Sequence, residues 1–190
     1  DYSKAEAGKL ELEYEDIDLN KLVAACLRLQ EPRAQSAGVS LEKDMPNEHL
    51  IIHSDAKRLK QVLLNLLSNA VKFTPQGGAV KISGWHNLKD NTVSIEVKDS
   101  GIGISPKDLA KALAPFGQVD NELARKYEGT GLGLPLTKKF VELLGGKLHL
   151  ESEMNKGTVV TVTIPVRPKS QMDERRRMPR SKNSNLLTEF

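Results

Sequence analysis

The stretch LKQVLLNLLSNAVKFTPQGG, Leu59 to Gly78, has the apolar spacing of a helix with one buried side, yet asparagine, serine, lysine and glutamine recur inside it. At about 100° per residue, Leu59, Val62, Leu63, Leu66, Leu67, Ala70 and Val71 fall on one side. Arg58, Gln61, Asn65, Ser68, Asn69 and Lys72 form a stripe on the other. An amphipathic surface helix separates its residues the same way. The composition of the stripe is less ordinary, because Asn and Ser compete with the backbone in mid-helix and are poor there. Asn65 and Asn69, four apart, point the same way. An amide oxygen is a hard neutral donor suited to magnesium, and a lysine one turn on can neutralise phosphate. Read alone, the stripe is a solvated face or the wall of a site.

The surrounding chain sets the frame. Its 190 residues suit one domain with appendages, with 38% hydrophobic and 28% charged residues as in soluble globular proteins. The longest apolar runs are too short to span a bilayer. Cys26 is the only cysteine, so no internal disulfide forms; it falls on an apolar helix face and reads as inert core. The net charge of +3 is concentrated at the C-terminal end. Residues 167–190 carry seven Lys/Arg and three Asp/Glu, leaving 21 basic and 22 acidic residues elsewhere. The body therefore gives no electrostatic case for nucleic acid. Residues 167–190 lack apolar periodicity and read as a basic, disordered tail.

Lys9 to Leu19 alternates apolar and charged residues and predicts a half-buried strand. A helix is expected from about Asn20 to Ala37, with Leu22, Val23, Cys26, Leu27 and Leu29 on or near one face, ended by Gly38. Val39–Met45 and His49–Asp55 read as short strands around a turn. The opening helix starts at a Ser54 or Asp55 cap and stops before Thr74-Pro75. Residues 78–87 and 91–100 predict an antiparallel hairpin. Ser105 and Asp108 form a capping box with Pro106 at the first helical position. Residues 113–132 are loop-like. A last helix covers about Gly133 to Leu144, and KLHLESE and GTVVTVTIP predict a closing hairpin. The order implies an α+β fold, a two-layer sandwich whose mixed, largely antiparallel sheet carries helices on one face.

Two glycine segments bear on the stripe. DSGIG puts Asp99 at a strand end, where a carboxylate accepts from an exocyclic amine, with Gly101 and Gly103 permitting close approach of a flat ligand. EGTGLGLPL alternates Gly129, Gly131 and Gly133 before a helix, presenting backbone N–H groups at the positive end of its dipole. Neither the phosphate-loop lysine motif nor the dinucleotide βαβ context is present. The loop before it is expected to be a mobile lid.

An asparagine-rich helix, D-x-G-x-G after a strand, then a loop leading into G-x-G-x-G, in that order, resembles the catalytic, ATP-binding domain of sensor histidine kinases. This is the Bergerat fold shared with gyrase, Hsp90 and MutL-type proteins. NLLSNAVKFT looks like its N box, DSGIG its G1 box, APFGQ its F box and GTGLGL its G2 box. The resemblance covers residues 9–166. Residues 1–8 look like the end of a dimerisation hairpin and linker, so the chain is expected to be a piece of a longer protein.

Carried over by position, the resemblance implies ATP and Mg²⁺ as ligands. Asn69 would hold the metal, Asn65 would line the phosphate end, Lys72 would meet phosphate and Phe73 would flank the nucleotide. Asp99 would take the adenine amine, with Gly101 and Gly103 beside the base and Thr158 near it. Phe116 would lie at the lid hinge, and Gly129, Thr130, Gly131, Leu132 and Gly133 would wrap the phosphates. Arg125 and Lys126 are further phosphate contacts or solvated charges.

Hydrolytic members carry a glutamate base one turn before the magnesium asparagine. Asn65 stands there, and an amide cannot take a proton near neutral pH. The implied nucleophile is a histidine on a separate dimerisation and phosphotransfer domain. His49, His53, His86 and His149 all lack the context of such an acceptor. The implied partners are that domain and a response-regulator receiver domain, in a homodimer, with no nucleic acid and no membrane contact by this domain. The expected location is cytoplasmic. The segment 119–146 resembles alphaproteobacterial cell-cycle kinases of the PleC and DivJ type. A degenerate binding module of this fold, or an anti-sigma-type serine kinase, remains the alternative at this point.

Overall fold

In the computed structural model, residues 10–115 and 132–168 are described. The predicted α+β architecture is present. Strands β2 (Ser40–Asp44), β4 (Ala79–Asn87), β5 (Thr92–Asp99), β6 (Lys147–Glu153) and β7 (Gly157–Pro165) form one sheet in the order β2-β4-β5-β7-β6. The β2–β4 pair is parallel and the other three pairs are antiparallel. Strands β1 (Glu15–Asp18) and β3 (Ile51–Ser54) pair antiparallel in a separate two-stranded sheet. The two short strands before the second helix thus belong to different sheets.

Helices α1 (Leu19–Ala37), α2 (Ala56–Phe73) and α4 (Gly133–Leu143) carry most of the helical core, and α3 (Pro106–Leu113) buries none of its residues. Asp18 caps α1, accepting from the amides of Asn20 and Lys21. Gly38, at φ +65°, ends it, and the Val39 amide closes back onto the Ala34 carbonyl. Asp55 caps α2: one oxygen accepts from Arg58 N at 2.8 Å and the other from Glu13 N at 3.0 Å. Ser54, the other candidate cap, is a buried strand residue.

The inward face of the sheet is Val80, Ile82, Val93, Ile95, Val97, Val160, Val162 and Ile164, all buried. Against it pack Leu59, Val62, Leu63, Leu66, Leu67 and Val71 of α2, with Val23 and Cys26 of α1 and Phe140 and Val141 of α4. Each large side chain buried there stabilises by about 1.5–3 kcal/mol relative to exposure. The opposite face carries Lys81, Ser83, Lys98, His149 and Glu151, so it needs no second layer.

Three expectations are corrected. The first strand is only Glu15–Asp18; Leu10 and Leu12 still pack on the core, but only residues 15–18 pair with β3. Leu29 is exposed and takes no part in the core. The capping box at Ser105 does not close onto the backbone: the serine hydroxyl donates to Asp108 Oδ2 at 2.5 Å instead. Among the described residues, no helix is long and apolar enough to cross a membrane.

Candidate nucleotide site

Asp99 ends the inward-facing series Val93, Ile95, Val97 of β5 and is buried. Its Oδ1 accepts from the backbone amides of Gly101 at 2.8 Å and Thr158 at 3.1 Å. No described residue donates to Oδ2. Burial pushes the carboxyl above the ordinary carboxylate range, and the two amides pull the other way without cancelling it. Among the described residues, this carboxylate is therefore held by one oxygen alone.

The loop after Asp99 is fastened on two sides. Ile102 N donates to the Phe73 carbonyl at the end of α2, and Asn155 N donates to the Ile102 carbonyl from the β6–β7 turn. The two glycines of the motif have a nearer task than admitting a ligand. A Cβ on Gly101 would lie 2.5 Å from the Phe73 oxygen, and one on Gly103 would lie 2.0 Å from the Glu153 oxygen. They let the loop dock, and docking brings Asp99 to the helix that carries Asn69 and Lys72.

On α2, Asn65, Asn69, Lys72 and Phe73 are all half-buried. Asn69 makes no side-chain hydrogen bond to a described residue. Burial, and then the charge of Arg33, lower the Lys72 pKa, and its Nζ lies 4.9 Å from the Phe73 ring centre. Arg33 of α1 donates to Ser68 Oγ at 2.7 Å, which places a second cation one turn from Lys72. Asn65 is engaged: its Nδ2 donates to the Gly133 carbonyl at 2.6 Å and to Thr137 Oγ1. Gly133 permits this, since a Cβ there would lie 2.9 Å from Asn65 Oδ1.

Thr158 is the register partner of Asp99, and Ser152 is the register partner of Thr158. Of the expected residues, Asp99 and Thr158 meet at one end of the sheet, the loop carrying Gly101 and Gly103 is fastened to Phe73 at the end of α2, Asn65 reaches Gly133 of α4, and Asn69 and Lys72 stand on α2 between Asn65 and Phe73. Leu132 stands at the start of α4. Phe116, Arg125, Lys126, Gly129, Thr130 and Gly131 lie outside the described residues. A cavity of about 510 Å³ opens between α1, α2 and α4, lined among others by Lys57, Lys60, Asn65, Ser68 and Gly133. It shares Asn65 and Gly133 with the site but not Asp99 or Asn69, so it is not where a base would sit.

Sequence reasoning missed Ser152 and Gly157. Ser152 follows Leu148 and Leu150 at inward positions of β6, and a polar residue ending such a series is the signal that finds it. A Cβ on Gly157, at φ +115°, would lie 1.9 Å from the Asp99 carbonyl oxygen. No pattern announces that contact, because it depends on how two distant strands meet.

The donor set suits a purine nucleotide with a hard cation: a buried acceptor at the sheet end, an asparagine amide with no side-chain partner among the described residues and a lysine on α2, and a helix N-terminus joined to α2 through Asn65. Among the described residues, no cluster of three or more His, Cys, Asp or Glu offers an alternative metal centre.

Comparison with known proteins agrees. The model of the Histidine kinase-, DNA gyrase B-, and HSP90-like ATPase family matches residues 54–168. The histidine protein kinase DivJ of Caulobacter vibrioides is 42% identical over 166 residues, covering 87% of this chain and 27% of that protein. The non-motile and phage-resistance protein of the same organism is 41% identical over 173 residues, covering 90% of this chain and 20% of its own length. The chain thus spans about a quarter or less of these relatives. Among solved structures, the catalytic domain of histidine kinase ThkA superposes with a TM-score of 0.72 at 31% identity, covering 83% of this chain and 100% of that one. Full-length ShkA in complex with AMPPNP gives 0.77 at 28% identity, covering 86% and 33%. With its fold, its motif order and these matches in agreement, the chain belongs to the histidine kinase-, gyrase B- and Hsp90-like ATPase family, and within it to the catalytic domains of sensor histidine kinases.

Proposed function

We propose that this domain binds Mg-ATP between α2 and the Asp99 end of the sheet and donates the γ-phosphate to a histidine on a separate dimerisation domain. The observation that carries this is Asp99, held by Oδ1 and with no donor to Oδ2 among the described residues, on a strand end whose following loop is hydrogen-bonded to the last turn of α2. Asp99 accepts the adenine amine, and Thr158 lies beside it. Lys72 meets phosphate, with Asn65 and the N-terminus of α4 at the phosphate end. Phe73 flanks the nucleotide. Asn69 would hold magnesium, which supplies charge neutralisation on the phosphates when bound.

The chain's own contribution is positioning and electrostatics. The unprotonated imidazole nitrogen of the acceptor forms a bond to the γ-phosphorus through its lone pair as the bond to the bridging β-phosphate oxygen breaks, ADP leaves, and the proton on the other ring nitrogen passes to solvent. No residue of α2 serves as a base toward water, because the place for one holds Asn65, whose amide is spent on Gly133 and Thr137. The phosphoryl group then passes to an aspartate of a response-regulator receiver domain. The intact protein works as a homodimer with its catalytic domain in the cytoplasm and without nucleic acid.

Calorimetry tests the site. Wild type binds Mg-ATP, and Asp99→Asn and Asn69→Asp each bind it at least tenfold more weakly. Wild-type affinity in both variants overturns the assignment. With labelled ATP the chain alone takes up no phosphate, and adding the histidine-bearing domain of the parent protein gives a labelled acceptor.

A further inference from the structure

Ser152 sits at the far end of a row that crosses three strands, Asp99 on β5, Thr158 on β7 and Ser152 on β6. Its hydroxyl has three partners. The Ile104 amide donates to it at 2.8 Å. The Gly157 carbonyl lies 3.0 Å away. Thr158 Oγ1 lies 2.8 Å away. A serine hydroxyl has one proton to give and two lone pairs to receive with. The Gly157 carbonyl can only accept, so it takes the Ser152 proton. The Ile104 amide can only donate, so it fills one lone pair. The remaining lone pair is filled by the Thr158 hydroxyl, whose single proton is thereby used.

The consequence falls on the face of Thr158 turned away from Ser152, where its oxygen has lone pairs and no proton. Beside it stands Asp99, which carries two lone-pair-rich oxygens and no proton when ionised. We propose that Ser152 is a positioning residue for base selection: by consuming the Thr158 proton it makes the end of the sheet a surface of acceptors only. Such a surface matches a purine with an amine at its 6-position and opposes one with a carbonyl there. The inference rests on the reading of Asp99 and Thr158 as the base end of the site. Ser152 touches no ligand itself; it acts through Thr158 and, through Ile104, through the loop that follows Asp99.

The test is competition. A labelled ATP analogue is bound to the chain and displaced by ATP or by GTP. In Ser152→Ala, the freed Thr158 hydroxyl rotates and can donate to a carbonyl. ATP is expected to bind about five- to tenfold more weakly, the cost of one unsatisfied buried group. GTP loses less or gains, so the preference for ATP narrows by about fivefold. Ser152→Thr keeps the hydroxyl and restores the preference. Weakening of both nucleotides in equal proportion is what a purely structural serine would give, and it overturns the proposal. Thr158→Val removes the oriented acceptor while keeping the shape. It should narrow the preference as Ser152→Ala does, and combining the two should narrow it no further. A wild-type preference in Thr158→Val overturns the proposal whether or not Ser152→Ala folds. If wild type binds no ATP, or Asp99→Asn binds it normally, the site reading fails as well; an unaltered preference in a chain that binds ATP through Asp99 removes this inference alone.

Discussion

The amide nitrogen of Asn65 donates to the carbonyl of Gly133 at 2.6 Å, joining the middle of α2 to the first residue of α4 across 68 positions of chain. With Thr137 as its second acceptor, Asn65 decides where the N-terminus of α4 lies. Asn65→Ala should lower stability by about 1–2 kcal/mol, as expected for a half-buried hydrogen-bonding group lost. It should weaken ATP more than adenosine, since the proposed site puts the N-terminus of α4 at the phosphate end. Chemical denaturation and calorimetry with both ligands check this, and equal weakening of the two would show that the link does not serve the phosphate end.

Asp99 is costly to keep ionised. Its pKa is raised in the folded chain, so the fold favours the protonated form, and stability declines as the pH rises through that range. Asp99→Asn keeps an oxygen for Gly101 N and Thr158 N while removing the desolvated charge. The ligand-free variant should melt at the wild-type temperature or above it at neutral pH, while losing ATP. ATP affinity of wild type should begin to fall, on acidification, at a higher pH than an ordinary aspartate would give. A variant that melts well below wild type would contradict this.

Two left-handed glycines separate strain from collision. Gly77 has φ +86° and nothing within 4 Å of a Cβ, so Gly77→Ala should cost about 1–2 kcal/mol from conformation alone. Gly157→Ala would drive a Cβ into the Asp99 carbonyl oxygen at 1.9 Å and should cost more than about 3 kcal/mol, with loss of nucleotide binding. Urea melts of the two variants rank them.

Asp18 is the cap of α1 and the partner of His49 Nδ1 at 2.6 Å. Desolvation opposes its charge, but the hydrogen bonds from His49 and the Lys21 amide, with the electrostatic influence of His49 and Lys21, together lower its pKa. Its stabilising share is therefore full above the ordinary aspartate range and drains away as the pH falls through the lower folded value. Asp18→Asn should lower stability at neutral pH and flatten the acid limb of a stability-versus-pH curve. An unchanged acid limb would sink this account.

Cys26 is buried beneath α2, and burial pushes its thiol up to about 11, with Lys60 pulling slightly the other way. At pH 8, alkylation should be slow in the native chain and at least a hundredfold faster in denaturant. Rapid native labelling would mean that α1 opens readily.

Much of this was legible in the residues. The period of α2, its Asp55 cap and its pre-proline stop follow from local chemistry, and the hairpins follow from alternation. The polar residues at the site end were legible as well: Asp99, Thr158 and Ser152 each stand at the same end of an inward apolar series, although only the first two were picked out by motif. What local pattern does not carry is which strands neighbour one another. The separate pairing of β1 with β3, the parallel pairing of β2 with β4, and the contact of Gly157 with Asp99 are all long-range choices made by the assembled core. The engagement of Asn65 was hidden for the same reason, since its partners are 68 and 72 residues away.

The bond from Thr158 N to Asp99 spans 59 residues, and that span has a consequence for synthesis. A chain emerging from the ribosome has α2 and the DSGIG segment long before it has β7. Until β7 is available, Asp99 lacks one of the two amides that hold its carboxylate. Nucleotide therefore arrives too late to guide the early fold; it can only reward the finished one.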